Sequence, residues 1–241
     1  MIFGAIVAGG IGTRMGISSM PKQFMDLGDK PIVIHTLEKF ILCDKIDYIC
    51  IGVHKDWTVF MDDLLDKYRI KKEKIFIAEG GDDRNNTIMN IIDAIEKKFG
   101  EDDSHIIVTH DAVRPFVTLR IIQDNINSAL AYGACNTVVS AVDTIVESLD
   151  GKTIKSIPDR RKLYQGQTPQ SFKMKKLKDL YNSLSQEDKN ILTDACKIFL
   201  LKNESVNLVN GEISNIKITT VEDYKIAQAM LKGEKIEPDL N

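Results

Sequence analysis

Cysteine is scarce and scattered: Cys43, Cys50, Cys135 and Cys196 form no C-x-x-C pair, and no histidine stands at zinc spacing from them. That argues against a disulfide framework and a zinc site and predicts four buried free thiols. An excess of one charge is also missing. Lysine plus arginine (32) and aspartate plus glutamate (35) nearly cancel, to a net charge of -3. The basic field that nucleic-acid or anionic-membrane binding leaves in a composition is therefore absent. No run approaches the roughly 18 apolar residues of a membrane span, and MIFGAIVAGG lacks the basic start and small-residue cleavage site of a secretory leader. The expectation is a cytoplasmic protein with no nucleic-acid or membrane partner. Internal repeats and low-complexity linkers are missing as well.

What is present is ordinary globular material, 43% hydrophobic and 28% charged over 241 residues, enough for one larger domain or two small ones. Short β-branched runs (IFGAIVA, DYICIGV, KIFIA, HIIVTH) alternate with longer stretches of helical period (IVIHTLEKFI, TVFMDDLLDKY, NTIMNIIDAIEKKF, LRIIQDNINSALAY). This order predicts an α/β fold with a mainly parallel sheet covered by helices on both faces. Open sheets of that kind bind ligands beyond the carboxyl ends of their strands. The loops from Gly9 to Gly16, 79 to 86 (EGGDDRNN) and 110 to 116 (HDAVRPF) all fall there, so three loops are expected to converge on one crevice.

The pattern breaks between about 143 and 171. TIVES and KTIKSI flank an Asp-Gly turn signal, which predicts a protruding β-hairpin arm. Its apolar residues would be poorly covered alone, so a second copy of the chain is the expected cover and a homodimer the expected assembly. Helical pattern resumes in KKLKDLYNSL and QEDKNILTDACKIFLLK, and NIKITTVEDYKIAQAML is read as a last strand and helix.

In the opening stretch AIVAGGIGTRMGISSMPKQF, Gly9, Gly10 and Gly12 free the backbone to approach a phosphate, and Arg14 and Lys22 add positive charge. Neither the P-loop nor the dinucleotide spacing is matched. From the glycines alone, a purely structural turn is an equal reading. Asp111 is a strand-end carboxylate, suited to Mg2+ or to capping the next turn. Arg114 reads as a lock on its loop, and His110, with no ligand partner at metal spacing, as a structural histidine. Asp82 or Asp83 could cap the helix that follows GGDD.

Together VAGGIGTRMG, PKQF, GGDDRNN, HDAVRPF, QTPQ and NIKIT, in this order, resemble the 2-C-methyl-D-erythritol 4-phosphate cytidylyltransferase family over nearly the whole chain. The resemblance implies a single Rossmann-like nucleotidyltransferase domain over 1–241, with the arm serving dimerisation. It implies CTP as the nucleotide, a polyol phosphate as the acceptor and Mg2+ as the cofactor. By the same resemblance, Val7, Ala8, Gly9, Gly10, Gly12, Gly81, Asp82, Arg84, Thr87 and Ala112 hold the nucleotide, and Asp111 the metal. Arg14, Lys22, Arg160 and Lys217 are the catalytic cations, and Arg160, Thr193, Asp194 and Lys217 contact the acceptor. Arg161 rivals Arg160, and Thr193 and Asp194 are equally readable as a helix cap.

HDAVRPF, LYQGQTPQ and LTDACKIF favour the family branch that uses D-ribitol 5-phosphate, for teichoic-acid-type polymer synthesis. Methylerythritol phosphate is the runner-up acceptor. A phosphate monoester, with a second pKa near 6, attacks without a general base, so the protein's task is positioning and charge neutralisation. An idle nucleotide-binding module is the rival of another class. It would be expected to have lost part of the charged set, and Arg14, Lys22, Asp111, Arg160 and Lys217 are all present.

Overall fold

A computed structural model describes residues 1–10 and 20–233. In chain order its elements are β1 (Ile2–Ala8), the two-residue strands β2 (Asp26–Leu27) and β3 (Lys30–Pro31), α1 (Ile32–Ile41), β4 (Tyr48–Val53), α2 (Thr58–Lys67), β5 (Ile75–Glu79), α3 (Arg84–Phe99) and β6 (Ile106–Asp111). They continue with α4 (Leu119–Tyr132), β7 (Ala134–Ser140), β8 (Tyr164–Lys173), α5 (Met174–Asn182), α6 (Gln186–Asn190), α7 (Cys196–Leu201), β9 (Asn207–Asn210) and α8 (Val221–Gly233).

Seven strands form one sheet in the order β5-β4-β1-β6-β8-β7-β9, and β2 pairs with β3 apart from it. All neighbours in the main sheet are parallel except β8, which runs antiparallel to both β6 and β7. The chain builds outward from β1 to β4 and β5, then returns to place β6 on the other side of β1. The strand order therefore reverses between β1 and β6, the place where open α/β sheets leave a crevice.

Period-2 alternation explains the two-sided cover. Ile6 and Ala8 of β1, Ile49, Ile51 and Val53 of β4, and Ile106 and Val108 of β6 pack with α1, α2 and α4. Phe3, Ala5, Cys50 and Ile107 face the opposite way, onto α3, α5 and α7. A third cluster joins Leu27, Ile32, Val113 and Phe116 to Ile218 and to Ala227 of α8. All four cysteines are free and buried, as expected.

Three predicted elements differ. Residues 164–171, placed in the arm by the sequence pattern, belong to β8 (Tyr164–Lys173), an interior strand between β6 and β7, and the excursion proper spans 141–163. YQGQTPQSFK shows no apolar alternation because its buried positions are polar and paired: Thr109 Oγ1 donates to the Gln170 carbonyl at 2.9 Å and Asn215 Nδ2 to the Thr168 carbonyl at 2.8 Å. NIKIT is not a strand; residues 215–219 run as irregular chain tied to the 113 loop by Ile218 N–H donating to the Val113 carbonyl at 3.0 Å. QEDKNILTDACKIFLLK is broken into α6 and α7, where Asp194 Oδ1 accepts from Lys197 N–H at 3.1 Å.

In the excursion a single antiparallel bridge joins Glu147 to Ser156. The Asp-Gly turn forms as expected, with Asp150 Oδ1 accepting from Lys152 N–H and Thr153 N–H, each at 2.8 Å. Val142, Leu149, Ile154 and Ile157 are each more than three-fifths exposed (67%, 78%, 62% and 62%).

Candidate active site

The crevice between β1 and β6 is lined by Val7, Ala8, Gly9, Gly10, Lys22, Gln23, Gly81, Asp82, Asp83, Arg84, Thr87, Asp111, Ala112, Val113 and Lys217. The strand-end segments come together here because parallel neighbours end at the same edge. Backbone fit is close: a Cβ on Gly9 would stand 2.8 Å from Thr87 Oγ1, and one on Gly81 would stand 2.5 Å from Asn86 Cβ. Glycine at these two positions is required by approach, whatever its freedom in φ. Thr87 Oγ1 accepts from Gly81 N–H at 3.0 Å and donates to the Asp83 carbonyl at 2.8 Å, joining the loop to α3. Asp83 caps that helix, its Oδ1 accepting from Asn86 N–H at 2.8 Å.

Gln23 is buried, and its Nε2 donates to the Ala8 carbonyl at 2.7 Å and to the Gly10 carbonyl at 3.0 Å. Lys22, Gln23 and Phe24 form a short 3-10 turn, anchored by Phe24 stacked on Trp57 with centroids 5.4 Å apart and edge-on to Phe60 at 5.2 Å. The cation at Lys22 thus rides on a packed aromatic foot.

Asp111 is the electrostatic hub, only 6% exposed. Its Oδ1 accepts from Arg84 Nε at 2.9 Å; its Oδ2 meets Lys217 Nζ at 2.8 Å and Arg114 Nε at 3.7 Å. Burial opposes its charge, yet Arg84, Lys217 and Arg114 outweigh burial and hold the carboxyl well below the usual range. The residue is ionised at any physiological pH.

A polar chain fixes the Asp111 backbone. Asp111 N–H donates to Thr168 Oγ1 at 3.2 Å, Thr168 Oγ1 lies 2.9 Å from His110 Nδ1, and His110 Nε2 lies 3.1 Å from the Arg114 carbonyl. Burial pushes the His110 imidazole down to about 4, so it is neutral, with Nε2 the donor to the carbonyl and Nδ1 the acceptor from the hydroxyl. His110 is structural, as expected. Arg114 is buried and donates through Nη1 to the Asn215 carbonyl at 2.7 Å, which locks the loop and holds the segment carrying Lys217.

Most of the residues selected from sequence meet in this crevice: Val7, Ala8, Gly9, Gly10, Lys22, Gly81, Asp82, Arg84, Thr87, Asp111, Ala112 and Lys217. Gly12 and Arg14 lie outside the described residues. Arg84 points at Asp111, with Nη1 donating to Gln170 Oε1 at 3.1 Å. Thr193 lies in an adjoining cavity behind Arg84, and Asp194 is engaged as the α7 cap. Arg160 stays in the excursion, donating to the Val142 carbonyl at 2.7 Å, while Arg161 pairs with Asp159 at 2.8 Å. Gln23, Thr168 and Gln170 are the supporting residues that sequence reasoning missed. The signal available was polar side chains beside motif cations, but hydropathy gives no hint that they are buried.

Among the described residues no group of three His, Cys, Asp or Glu is placed to hold a metal ion. The Asp111 carboxylate suits instead a cation carried largely by substrate phosphates and water, since each of its oxygens keeps lone-pair capacity beyond its ion pair. No helix among the described residues is long and apolar enough to cross a membrane.

A profile of the 2-C-methyl-D-erythritol 4-phosphate cytidylyltransferase family matches residues 2–233. A ribitol-5-phosphate cytidylyltransferase of Streptococcus pneumoniae serotype 2 is 58% identical over 235 residues, covering 97% of this chain and all of that protein; the protein of the same description from S. pneumoniae serotype 19F is equally similar. Among solved structures, a 4-diphosphocytidyl-2C-methyl-D-erythritol synthase from Anaerococcus prevotii superposes with a TM-score of 0.78 at 26% identity, covering 96% of each chain. The 2-C-methyl-D-erythritol 4-phosphate cytidylyltransferase of Francisella tularensis gives 0.78 at 25%, covering 95% of this chain and 98% of the other.

Proposed function

This chain belongs to the 2-C-methyl-D-erythritol 4-phosphate cytidylyltransferase family, and from that premise we propose that it transfers the cytidylyl group of CTP to D-ribitol 5-phosphate. The products are CDP-ribitol, a precursor for teichoic-acid-type polymers, and pyrophosphate, formed in the cytoplasm. The acceptor rests on the relatives at 58% identity, which carry that activity in their description. The observation that carries the nucleotidyl-transfer reading is the convergence of Lys22, Arg84 and Lys217 with the glycine-bearing strand ends on Asp111, in one crevice at the reversal of strand order.

The chemistry follows from those groups. An acceptor phosphate oxygen attacks the α-phosphorus of CTP and the bond to the β-phosphate bridging oxygen breaks, expelling pyrophosphate. The nucleophile is already an anion, so no side chain need take a proton. Backbone of 7–10 and 81–84 holds the nucleotide, with Thr87 fixing the loop. Lys22 and Arg14 neutralise charge that accumulates on the α-phosphate, and Lys217 orients the incoming phosphate. The family is divalent-metal-dependent, and Mg2+ on Asp111 would supply charge compensation between the phosphates and a template for the triphosphate. Thr193 and Asp194 lie on the acceptor side.

Two anionic substrates call for a further cation, and Arg160 is our candidate, with Arg161 beside it as the rival. The apolar excursion supports a C2 dimer in which each arm covers its partner and brings Arg160 to the partner's crevice.

Pyrophosphate release from CTP and UTP, each paired with ribitol 5-phosphate and with 2-C-methyl-D-erythritol 4-phosphate, tests the reading. CTP with ribitol 5-phosphate is expected to dominate. Preference for methylerythritol phosphate would reassign the acceptor, and no release with any pair would point to an idle module.

A further inference from the structure

Where β1 ends, Gly9 and Gly10 carry the chain along the crevice without regular structure. A Gly-Gly step is the least restrained backbone a chain can have, and ordering it costs more conformational entropy than ordering any other pair. Gly9 is explained by its neighbours, since a Cβ there would press on Thr87. Gly10 is not: a Cβ on it would meet nothing within 4 Å, its φ lies outside the left-handed region, and the residue is exposed. No neighbour among the described residues demands glycine at 10, so the bare backbone there is a face that a ligand can approach.

One side chain restrains this turn. Gln23 is 3% exposed, and its Nε2 donates to the carbonyls on either side of Gly9, that of Ala8 at 2.7 Å and that of Gly10 at 3.0 Å. The orientation of the amide is forced, because turning it round would set its oxygen against both carbonyls. Holding two carbonyls two residues apart fixes the peptide planes between them, and with them the directions of the Gly9 and Gly10 N–H groups. Gln23 is itself immobilised, as part of the Lys22–Phe24 turn, whose Phe24 is 2% exposed and packed on Trp57 and Phe60.

We infer that Gln23 is a positioning residue for the nucleotide: through the two carbonyls it sets the Gly9–Gly10 backbone in the shape that CTP meets, so that this ordering is complete before binding. Lys22 keeps its own aromatic seat and does not depend on the clasp. A Gln23 that served the fold alone would contribute stability and leave affinity untouched. The inference rests on CTP being the nucleotide, as proposed above.

The test measures CTP affinity of the full chain by calorimetry and turnover with ribitol 5-phosphate. Gln23→Met keeps the side chain's length and removes both donors; the dissociation constant for CTP should rise on the order of tenfold, the loss of about one net hydrogen bond. Turnover at saturation should stay within about threefold, and the KM for ribitol 5-phosphate should not move, because Lys22 and Lys217 keep their places. Gln23→Glu makes the clasp switchable. Burial and two facing carbonyls raise a carboxyl there well above its ordinary value of about 4.3, so at about pH 5.5 it is protonated and donates, and at about pH 8 it is ionised and repels. The charges lining the crevice, Lys22, Asp82, Asp83, Arg84, Asp111 and Lys217, are common to wild type and variants, so affinity is read relative to the wild type at each pH. The Gln23→Glu deficit should be on the order of tenfold or more at the higher pH and shrink to about threefold at the lower, while the Gln23→Met deficit stays constant. If Gln23→Met does not fold, the pH dependence of Gln23→Glu decides alone. An unmoved CTP constant in folded Gln23→Met overturns the inference, as does a Gln23→Glu deficit independent of pH or an equal rise in the KM for ribitol 5-phosphate. A wild-type chain that does not bind CTP overturns the nucleotide reading, and the inference with it.

Discussion

Around Asp111 the chain supplies partners for most of its own polar groups: both carboxylate oxygens are ion-paired, the backbone N–H is tied through Thr168 to His110, and Gln23 joins two carbonyls. Along residues 141–163 it does the reverse, spending one bridge on a hairpin and leaving Val142, Leu149, Ile154 and Ile157 facing water. The first region is organised before any ligand arrives, so binding loses little free energy to ordering it. The second gains little from its own fold and much from a covering surface. A preset crevice and an uncovered arm are the two features on which the proposed two-chain site rests.

Removing the hub is the harshest way to break that contrast. Asp111→Asn leaves three cations facing one another without the charge that gathers them, and should cost about 3 kcal/mol of stability. Urea unfolding at pH 7 measures it, and the Mg2+ midpoint of turnover should rise as well. A variant as stable as the wild type would show the hub to be dispensable. Lys22→Ala keeps the fold and should lower turnover on the order of a hundredfold, by analogy with loss of one oxyanion donor, while weakening CTP binding far less. Equal losses in both would make Lys22 a binding residue only.

Acid probes the crevice more gently. His110 has a folded pKa pushed down to about 4 by burial, below the unfolded value near 6.5, so the unfolded chain binds more protons between those limits. Its contribution is complete above about pH 6.5 and is lost as pH falls towards 4. Wild-type stability should therefore drop by about 2 kcal/mol between pH 7 and pH 5, with His110→Gln showing a flatter profile. Parallel profiles would remove His110 from the account.

The smallest signal sharpens the other side of the comparison. Arg14→Ala and Arg160→Ala, each inactive, are dissociated and reassociated together. If the arm crosses, a mixed dimer has one site with both lesions and one with neither, and activity returns towards about one intact site in four. No return of activity, with heterodimers shown to form, would keep Arg160 on its own chain.

The contrast also explains what the sequence allowed one to read. Residues 1–132 alternate β-branched runs with amphipathic ones, and each predicted element there is present, because apolar burial dictates both its period and its position. Beyond Tyr132 the sheet is finished by β7, β8 and β9, which hide the same burial under polar letters. Gln167, Thr168, Gln170 and Ser171 lie buried in β8, where hydrogen bonding takes over from hydropathy. The glycine and charge motifs located the crevice, since close approach and cation placement leave marks in residue type. The Thr168–His110 tie and the Gln23 clasp left none, because each depends on contacts made across the sheet or between its strand ends. The split at Asp194 is the same failure in small, a local cap overriding a helical period.

Trp57 carries one more consequence. It is the chain's single tryptophan, and its ring lies against Phe24, in the same short turn as Lys22. The protein's ultraviolet emission therefore originates almost wholly at the foot of the crevice's leading cation. Any rearrangement of that turn when a nucleotide enters alters the colour or yield of that light, so the wild-type molecule carries its own optical gauge without an attached dye.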